Sequence, residues 1–597
     1  MFRLQIEKLN SVVNRQEENF EAALNEIDFI EKRNSLTEED RLACKLLKSR
    51  IYTSLGNTEL GLKLAEEGLQ ASRKMNQQIL GVDAIIAKAE ALLQLEKLRG
   101  KECLELIDQG EHLLSNLNSL TPPERFNREA YLKRYKGIIY RTMGDPDLSF
   151  QSLDNCITLF EDLRNNNLIK DTIDQLSLTL DEPERVLAYY EQKSVLYENT
   201  NNKEVLAWYH CKMGWYYANY VGNPDMAIQT VLKSQALFEE LNDSKEIAML
   251  FNELGELHLR LGEFNLAEDY FKRGLTLSEE IEFNELFAHL HQSFGWFYIE
   301  KSEIDLALEY LHKSLVLWKS KCSSTLYLMV FPLSNLGLAY LKKGNLIAAE
   351  RFFKESLAMS EKYPSSVLFF GISLSLYGLI SMAIEINTLD QAKKYLRQLQ
   401  EIHVNNKYFK PISQMYRISR ANLLKTSSRL KDRVKASEIL QKVTNEEDLI
   451  HTFTIDALFS LSDSLIFELK MMGDEEVLKQ LQSLFVRLQK ITMKYQFSEL
   501  QVQTFIIQAQ LEIIAGNLST AMDLLDQASI TAEKHELQLL VNKVSLEKRD
   551  LTDQLDKWET LIEENAPLKE RLERARLEEY ISKALKKIST GQQFPDS

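Results

Sequence analysis

"NELGELHLRLGEFNLAEDYFKRGL" (252–275) is answered forty residues later by "QSFGWFYIEKSEIDLALEYLHKSL" (292–315) and again by "SNLGLAYLKKGNLIAAERFFKESL" (334–357). In each, a glycine (Gly255, Gly295, Gly337) is followed three residues on by His258, Tyr298 or Tyr340 and twelve on by Ala267, Ala307 or Ala349. Four residues further comes a large apolar side chain, Phe271, Leu311 or Phe353, and a small residue closes the pattern at Gly274, Ser314 or Ser356. Gly262 and Gly344, with Ser302 at the same place in the series, stand seven residues after the first glycine. The pattern reads as two helices folded back on each other. The first glycine permits close approach, the alanine accepts an aromatic ring, and the turn residue supplies the backbone conformation that ends a helix.

These offsets resemble the tetratricopeptide repeat, whose consensus places Gly, Tyr, Ala, Phe and Ala in the same order. Further copies stand at "KMGWYYANYVGNPDMAIQTVLKS" (Gly214, Tyr217, Gly222, Ala227) and "KGIIYRTMGDPDLSFQSL" (Gly137, Tyr140, Gly144), with weaker ones around Tyr52, Gly378 and Gly516. From Gly214 the glycines recur at 255, 295, 337 and 378, intervals of 41, 40, 42 and 41 residues. The commonest unit of the family is about 34 residues, so each helix here is expected to be about a turn longer. Such long units are similar to those of kinesin light chains and of the sensor domains of bacterial maltose-type activators. The resemblance implies an all-α solenoid, a right-handed superhelix of tetratricopeptide (TPR) hairpins with a C-terminal capping helix pair. Four regions are expected: N-terminal repeats over 1–120, a central array of 40–42-residue units over 121–400, degenerate repeats over 401–535, and capping helices over 536–597. Pro183 is placed to open the second helix of a degenerate unit between Gly137 and Gly214, and "SLTPPERF" and "KYFKPIS" mark further helix starts. Leu537, Leu540, Val544, Leu551, Trp558 and Leu561 fall near heptad spacing, so a homodimer through 536–597 is the alternative to capping.

Composition agrees with a helical repeat array. The 597 residues include only 10 prolines and 21 glycines, and 44% hydrophobic with 27% charged residues is ordinary for a soluble globular chain. A net charge of −16 disfavours nucleic acid and anionic membrane surfaces as partners. The basic run Lys425–Lys435 alternates charge in a way that splays round a helix, as a solvated face does. Five separated cysteines and a charged start with no apolar core of signal-peptide length lead us to expect a cytoplasmic protein. One stretch, "VLFFGISLSLYGLISMAI" (367–384), carries no charge over a length that could cross a bilayer. Its repeat register and its serines place it in a first helix instead, with Gly378 as the expected first glycine. It is apolar on both faces, so something must cover Leu379.

No phosphate-binding loop, dinucleotide fingerprint, zinc-protease or nucleophile-elbow motif occurs. His289 and His291 are about 200° apart round a helix and cannot share a metal. "GDPD" (144–147) and "GNPD" (222–225) read as inter-helix turns with one extra residue. The expectation is therefore a non-enzymatic protein without cofactor or metal.

In the family resembled, ligands meet positions 2, 5, 9, 12 and 13 of the unit, counting the first glycine as 8. Carried onto this chain, and widened to position 6, these offsets nominate Trp208, Trp215, Asn252, His289, Gln292, Trp296, Phe331, Asn335, Leu338 and Leu379 as a groove for a peptide or helical segment of a partner protein. Members that clamp a terminal carboxylate use Lys at position 2, where this chain has Trp208, Met249, His289, Phe331 and Ile372; only Lys212 and Asn335 fit at position 6. That mode is disfavoured. The resemblance implies an interaction scaffold or, alternatively, a sensor that binds a peptide or small molecule and acts on a partner in trans.

Overall fold

Glycine is scarce in this chain, and the backbone shows where it is needed. Gly262 and Gly344 take φ of 72° and 79°, the left-handed conformation that ends one helix and lets the next fold back. Return turns between hairpins use the same conformation at Asn76, Arg164, Asn242 and Glu282, despite their side chains. The computed structural model describes residues 20–32, 36–95, 100–117, 120–177, 183–200, 202–301, 303–362, 368–446, 451–494, 498–535, 538–564 and 566–574; among them there are helices and turns and no strand. Ser302 and residues 575–597 lie outside the described residues.

The chain divides into two compact units. The first takes the described residues up to Tyr217 together with Gln229–Asp243. It holds a leading helix, Phe20–Glu31, and the hairpins Glu38–Ser54/Thr58–Lys74, Gln78–Gln94/Gly100–Ser115, Pro122–Thr142/Pro146–Asp162 and Asn166–Ser177/Pro183–Glu198, then the helix Lys203–Tyr216. The second takes Ala218–Ile228 and the chain from Ser244 onward. Its hairpins are Ser244–Leu261/Phe264–Glu280, Asn284–Glu300/Ile304–Lys321, Val330–Lys342/Leu346–Lys362, Phe369–Glu385/Leu389–Asn405, Lys410–Lys425/Leu430–Thr444, His451–Met472/Glu475–Lys494 and Ser498–Ala515/Leu518–Lys534. Pro183 opens its helix as the sequence suggested, and Thr121 caps Pro122–Thr142 with a reciprocal Glu124 bond.

Within each hairpin the two helices differ in how much they bury. The second helix Phe264–Glu280 buries one stripe, Ala267, Phe271, Gly274 and Ser278, whereas the first helix Asn284–Glu300 is buried on most sides. A helix with one apolar stripe belongs to an outer layer and one apolar nearly all round to an inner layer. First helices therefore form the inner layer of each unit. The close approach expected at the glycines is present. A Cβ on Gly255 would lie 2.5 Å from Phe271, and one on Gly295 would lie 2.4 Å from Leu311, in both cases the residue sixteen positions later.

The hydrogen bond that closes each hairpin corrects one register. Glu263 N–H donates to the His258 carbonyl, Glu303 N–H to Tyr298 and Asn345 N–H to Tyr340, each acceptor lying three residues after the repeat glycine. The equivalent bond of the next hairpin runs from Thr388 N–H to Ala383. The residue in the glycine's place is thus Ile380, not Gly378. A two-residue shift is about 200° of rotation. It turns Leu379, 3% exposed, into the core between repeats and brings Tyr377 onto the ligand-facing side. Gly378 does other work, since a Cβ there would stand 2.1 Å from Phe353 of the preceding hairpin.

Residues 369–384 of the uncharged stretch accordingly lie in the helix Phe369–Glu385, and no described helix is long and apolar enough to cross a membrane. Of the two Asp-containing turns, "GNPD" does carry an extra residue, absorbed as the π-helical turn Tyr217–Val221; "GDPD" keeps the ordinary spacing, with Asp145 capping Pro146–Asp162. Among the described residues, the C-terminal region holds the helices Gln538–Asp553, Leu555–Glu563 and Leu568–Arg574. Leu540, Val544, Leu551, Trp558 and Leu561 are buried in the core of the second unit, and Arg571 Nη1 donates to the Ile514 carbonyl at 2.7 Å. Four of the five cysteines are buried, and all five are free thiols.

Candidate functional site

In the second unit the first helices present the same register positions in turn. At position 5 stand Asn252 and Gln292, 7% and 9% exposed. Asn252 Nδ2 donates to Glu256 Oε1 at 3.1 Å, and Ser293 Oγ donates to the same oxygen at 3.3 Å. The Asn252 Oδ1 and Gln292 Oε1 oxygens are buried with no donor among the described residues. Buried acceptors of this kind cost free energy until a donor reaches them. Around them His289, Trp296 and Phe331 are half-buried, while Asn335 and Leu338 are each 4% exposed and form the floor.

Burial holds the His289 imidazole below its ordinary pKa, opposed by the Glu256 carboxylate, so the ring is neutral near pH 7. His291, two residues on, sits in the packing instead, its Nδ1 2.7 Å from the Phe287 carbonyl and its ring 4.6 Å from that of Phe287. At position 13 the buried Arg260 guanidinium donates to Asn219 Oδ1 at 3.0 Å, and desolvation lowers its pKa.

Two contacts close this face within the second unit. Tyr377 Oη donates to Asp456 Oδ2 at 2.6 Å, and its ring meets Phe453 edge-on at 5.3 Å, so the helix His451–Met472 covers the face beyond the Gly337 repeat. Burial raises the Asp456 pKa, while Lys342 and the Tyr377 hydroxyl act against the rise. At the other end, Lys410 Nζ donates to the Val221 carbonyl at 2.6 Å and Tyr220 packs on Phe409 at 5.5 Å. What covers the apolar first helix is therefore the chain itself.

The first unit has a different inner face. Ion pairs link successive first helices there: Arg50 to Glu90 (2.9 Å), Arg128 to Asp83 (2.7 Å), Arg134 to Asp171 (3.7 Å) and Lys212 to Asp174 (2.5 Å). Arg50 and Arg128 border a cavity of about 60 Å³ whose other walls include Leu46, Ile86 and Tyr131. Sequence reasoning missed this ladder, because each rung joins residues whose partners lie a whole repeat away. Arg50, at position 9 of its helix, was the available signal. Lys212 is used within the chain. Trp208 is only 3% exposed, packed on Phe238 at 6.3 Å with Lys170 Nζ 5.3 Å from its ring, so it is a core residue; Trp215 is half-buried.

Residues 250–281 and 333–363 match tetratricopeptide-repeat family models, so the chain carries tetratricopeptide repeats there. No curated protein matches it by sequence. Among solved structures, the apo form of RapI is 15% identical, with 60% of this chain and 98% of that one covered at a TM-score of 0.39. A Rap protein complexed with competence and sporulation factor is 10% identical, covering 74% of this chain and 99% of the other at 0.37. The apo quorum sensor NprR from B. thuringiensis is 15% identical, covering 60% and 98% at 0.35.

Proposed function

We propose that this protein is a non-enzymatic interaction scaffold that binds a polypeptide segment of a partner along the first-helix face of its second unit. The supporting observation is the pair of buried, donor-less amide oxygens of Asn252 and Gln292, at equivalent positions of adjacent repeats. Backbone N–H groups of an extended segment are the natural donors, and the half-buried Trp296, His289 and Phe331 beside them offer apolar contact of the kind that dominates interface energy. Of the residues nominated from sequence, Asn252, His289, Gln292, Trp296 and Phe331 carry the proposal. Asn335 and Leu338 support them from below.

A second reading, a sensor acting in trans, is favoured by the Lys410–Val221 and Tyr220–Phe409 contacts. Affinity capture with wild type and a Trp296→Ala/Phe331→Ala variant, read by mass spectrometry, tests the binding face; identical partner sets would sink it. Ligand-dependent protease protection around residues 218–228 distinguishes the sensor from a passive scaffold.

A further inference from the structure

The first six hairpins of the second unit each expose a large apolar side chain at the turn between their two helices. Leu266, Leu306, Ile347, Ile386, Leu430 and the pair Met471 and Met472 stand in these turns or within three residues of them, and Ile347 is 86% exposed. One exposed apolar residue is ordinary on a protein surface, but its return at the same place in six successive turns makes a row. Helices alternate in direction along the chain and each first helix packs on the next, so these turns share one edge of the unit.

Charge divides that row. Residues 300–309 carry Glu300, Glu303, Asp305 and Glu309 against Lys301, and residues 472–480 carry Asp474, Glu475 and Glu476 against Lys479. The three turns between them are the reverse. Residues 342–351, 385–397 and 425–435 hold eleven basic side chains and four acidic ones, Glu350, Glu385, Asp390 and Asp432. Carboxylates from outside these segments face four of the cations: Asp305 stands 2.6 Å from Lys343, Glu355 3.7 Å from Arg351 and Asp463 2.7 Å from Lys425, while Asp456 faces Lys342. With these eight acidic groups all counted, an excess of three positive charges remains, in a chain of net charge −16. Lys394, Arg397, Arg429, Lys431 and Lys435 are exposed, and Lys431 and Lys435 share one face of the helix Leu430–Thr444 with the exposed Val434.

The mean charge of the chain repels anionic surfaces, but the field at this edge is set by charges within about 10 Å. Aliphatic tips set among lysines and arginines fit an anionic lipid surface. The cations meet headgroup phosphates and carboxylates, and the apolar side chains enter the interface without needing pockets. A nucleic-acid backbone offers charge but nothing to Ile347 or Leu430, and a protein partner would need a hollow for each tip. Neighbouring helices lie about 10 Å apart, so the tips Ile347, Ile386 and Leu430 span about 20 Å. Three points always share a plane, so a flat surface can meet all of them.

We propose that this edge of the second unit, at residues 342–351, 385–397 and 425–435, docks on the surface of an anionic lipid bilayer. Ile347, Ile386 and Leu430 enter the interface, and Lys394, Arg397, Lys431 and Lys435 lie among the headgroups. The first-helix face takes no part in this contact.

The test sediments the full-length chain with vesicles of phosphatidylcholine alone or with about 30 mol% phosphatidylserine, in about 50 mM and about 200 mM salt. Sedimentation with the phosphatidylserine vesicles only, weaker at the higher salt, is expected. Lys431→Glu should weaken it about tenfold. Lys442→Glu, the same charge change on the same face about 16 Å further along the helix, should alter it less than about twofold. Ile347→Ser/Leu430→Ser should weaken binding about tenfold and leave its salt dependence unchanged. All four side chains are exposed, so none of these changes disturbs the core. Failure to sediment with phosphatidylserine vesicles, equal sedimentation with phosphatidylcholine alone, equal losses from Lys431→Glu and Lys442→Glu, or no loss from the serine pair overturns the proposal. So does tighter binding to poly-glutamate or to single-stranded RNA than to the vesicles, which would make an acidic protein segment or nucleic acid the occupant.

Discussion

The Phe353 ring offers the sharpest test of how these repeats pack. It is completely buried and lies between two glycines: a Cβ on Gly337 would come within 2.4 Å of its Cδ1, and one on Gly378 within 2.1 Å of its Cζ. The ring cannot retreat from one glycine without approaching the other. An alanine at either place gains about 1 kcal/mol of helix propensity. Overpacking of a rigid aromatic costs about 1–3 kcal/mol, and the upper part of that range applies where retreat is blocked. Gly337→Ala and Gly378→Ala should therefore each destabilise their repeats by about 1–2 kcal/mol, with less than additive loss in the double variant because one ring displacement serves both. Adding Phe353→Leu removes the clashing ring atoms while the two new methyls fill part of the space, and should bring stability back to within about 1 kcal/mol of wild type. Repeat arrays need not unfold in one step, so the reading is best taken as amide hydrogen exchange in the helices Val330–Lys342 and Phe369–Glu385 alongside the denaturant midpoint. Stabilisation by either single alanine, to the extent of its helix propensity, would refute the close-packing argument.

Other consequences are as direct. Tyr377→Phe removes a hydrogen bond to the half-buried Asp456 carboxylate, which Lys342 still faces, and should cost about 1.5–3 kcal/mol at pH 7, seen as faster exchange in the helix His451–Met472. His210, His289, His291, His312 and His403 all have pKa values lowered by burial from the ordinary 6.5. The unfolded chain then takes up protons that the folded chain refuses. Stability should be level above about pH 7 and fall as pH drops through 6.5, and a melting temperature unchanged between pH 7.5 and 5.5 would contradict this. Arg128→Ala removes the bidentate partner of a part-buried Asp83, at 2.7 and 2.8 Å, and should destabilise the first unit, with Arg128→Lys recovering only part of the loss.

Much of the fold was legible because helical repeats announce themselves locally. Gly255, Gly295 and Gly337, with Ala267, Ala307 and Ala349, specify hairpins through contacts sixteen residues apart or fewer, and the turn glycines specify where helices end. Local spacing also explained why 367–384 is a repeat helix. It misled at Gly378, where a glycine at the right interval serves the preceding repeat rather than its own; only the Thr388–Ala383 hydrogen bond shows that Ile380 holds the equivalent place. The candidate site was legible in part. Asn252, Gln292 and Trp296 could be placed by register. The burial of Trp208 and the turning of Leu379 into the core could not.

The sequence by itself determined the repeat and the all-helical class, since both depend on residues within one hairpin. Only the tertiary structure decided which inner positions remain open and which are paired. The Arg50–Glu90 and Arg128–Asp83 rungs and the cover that Asp456 gives Tyr377 depend on side chains brought together from different repeats. Periodicity within one repeat says nothing of the charge that the next repeat sets opposite it.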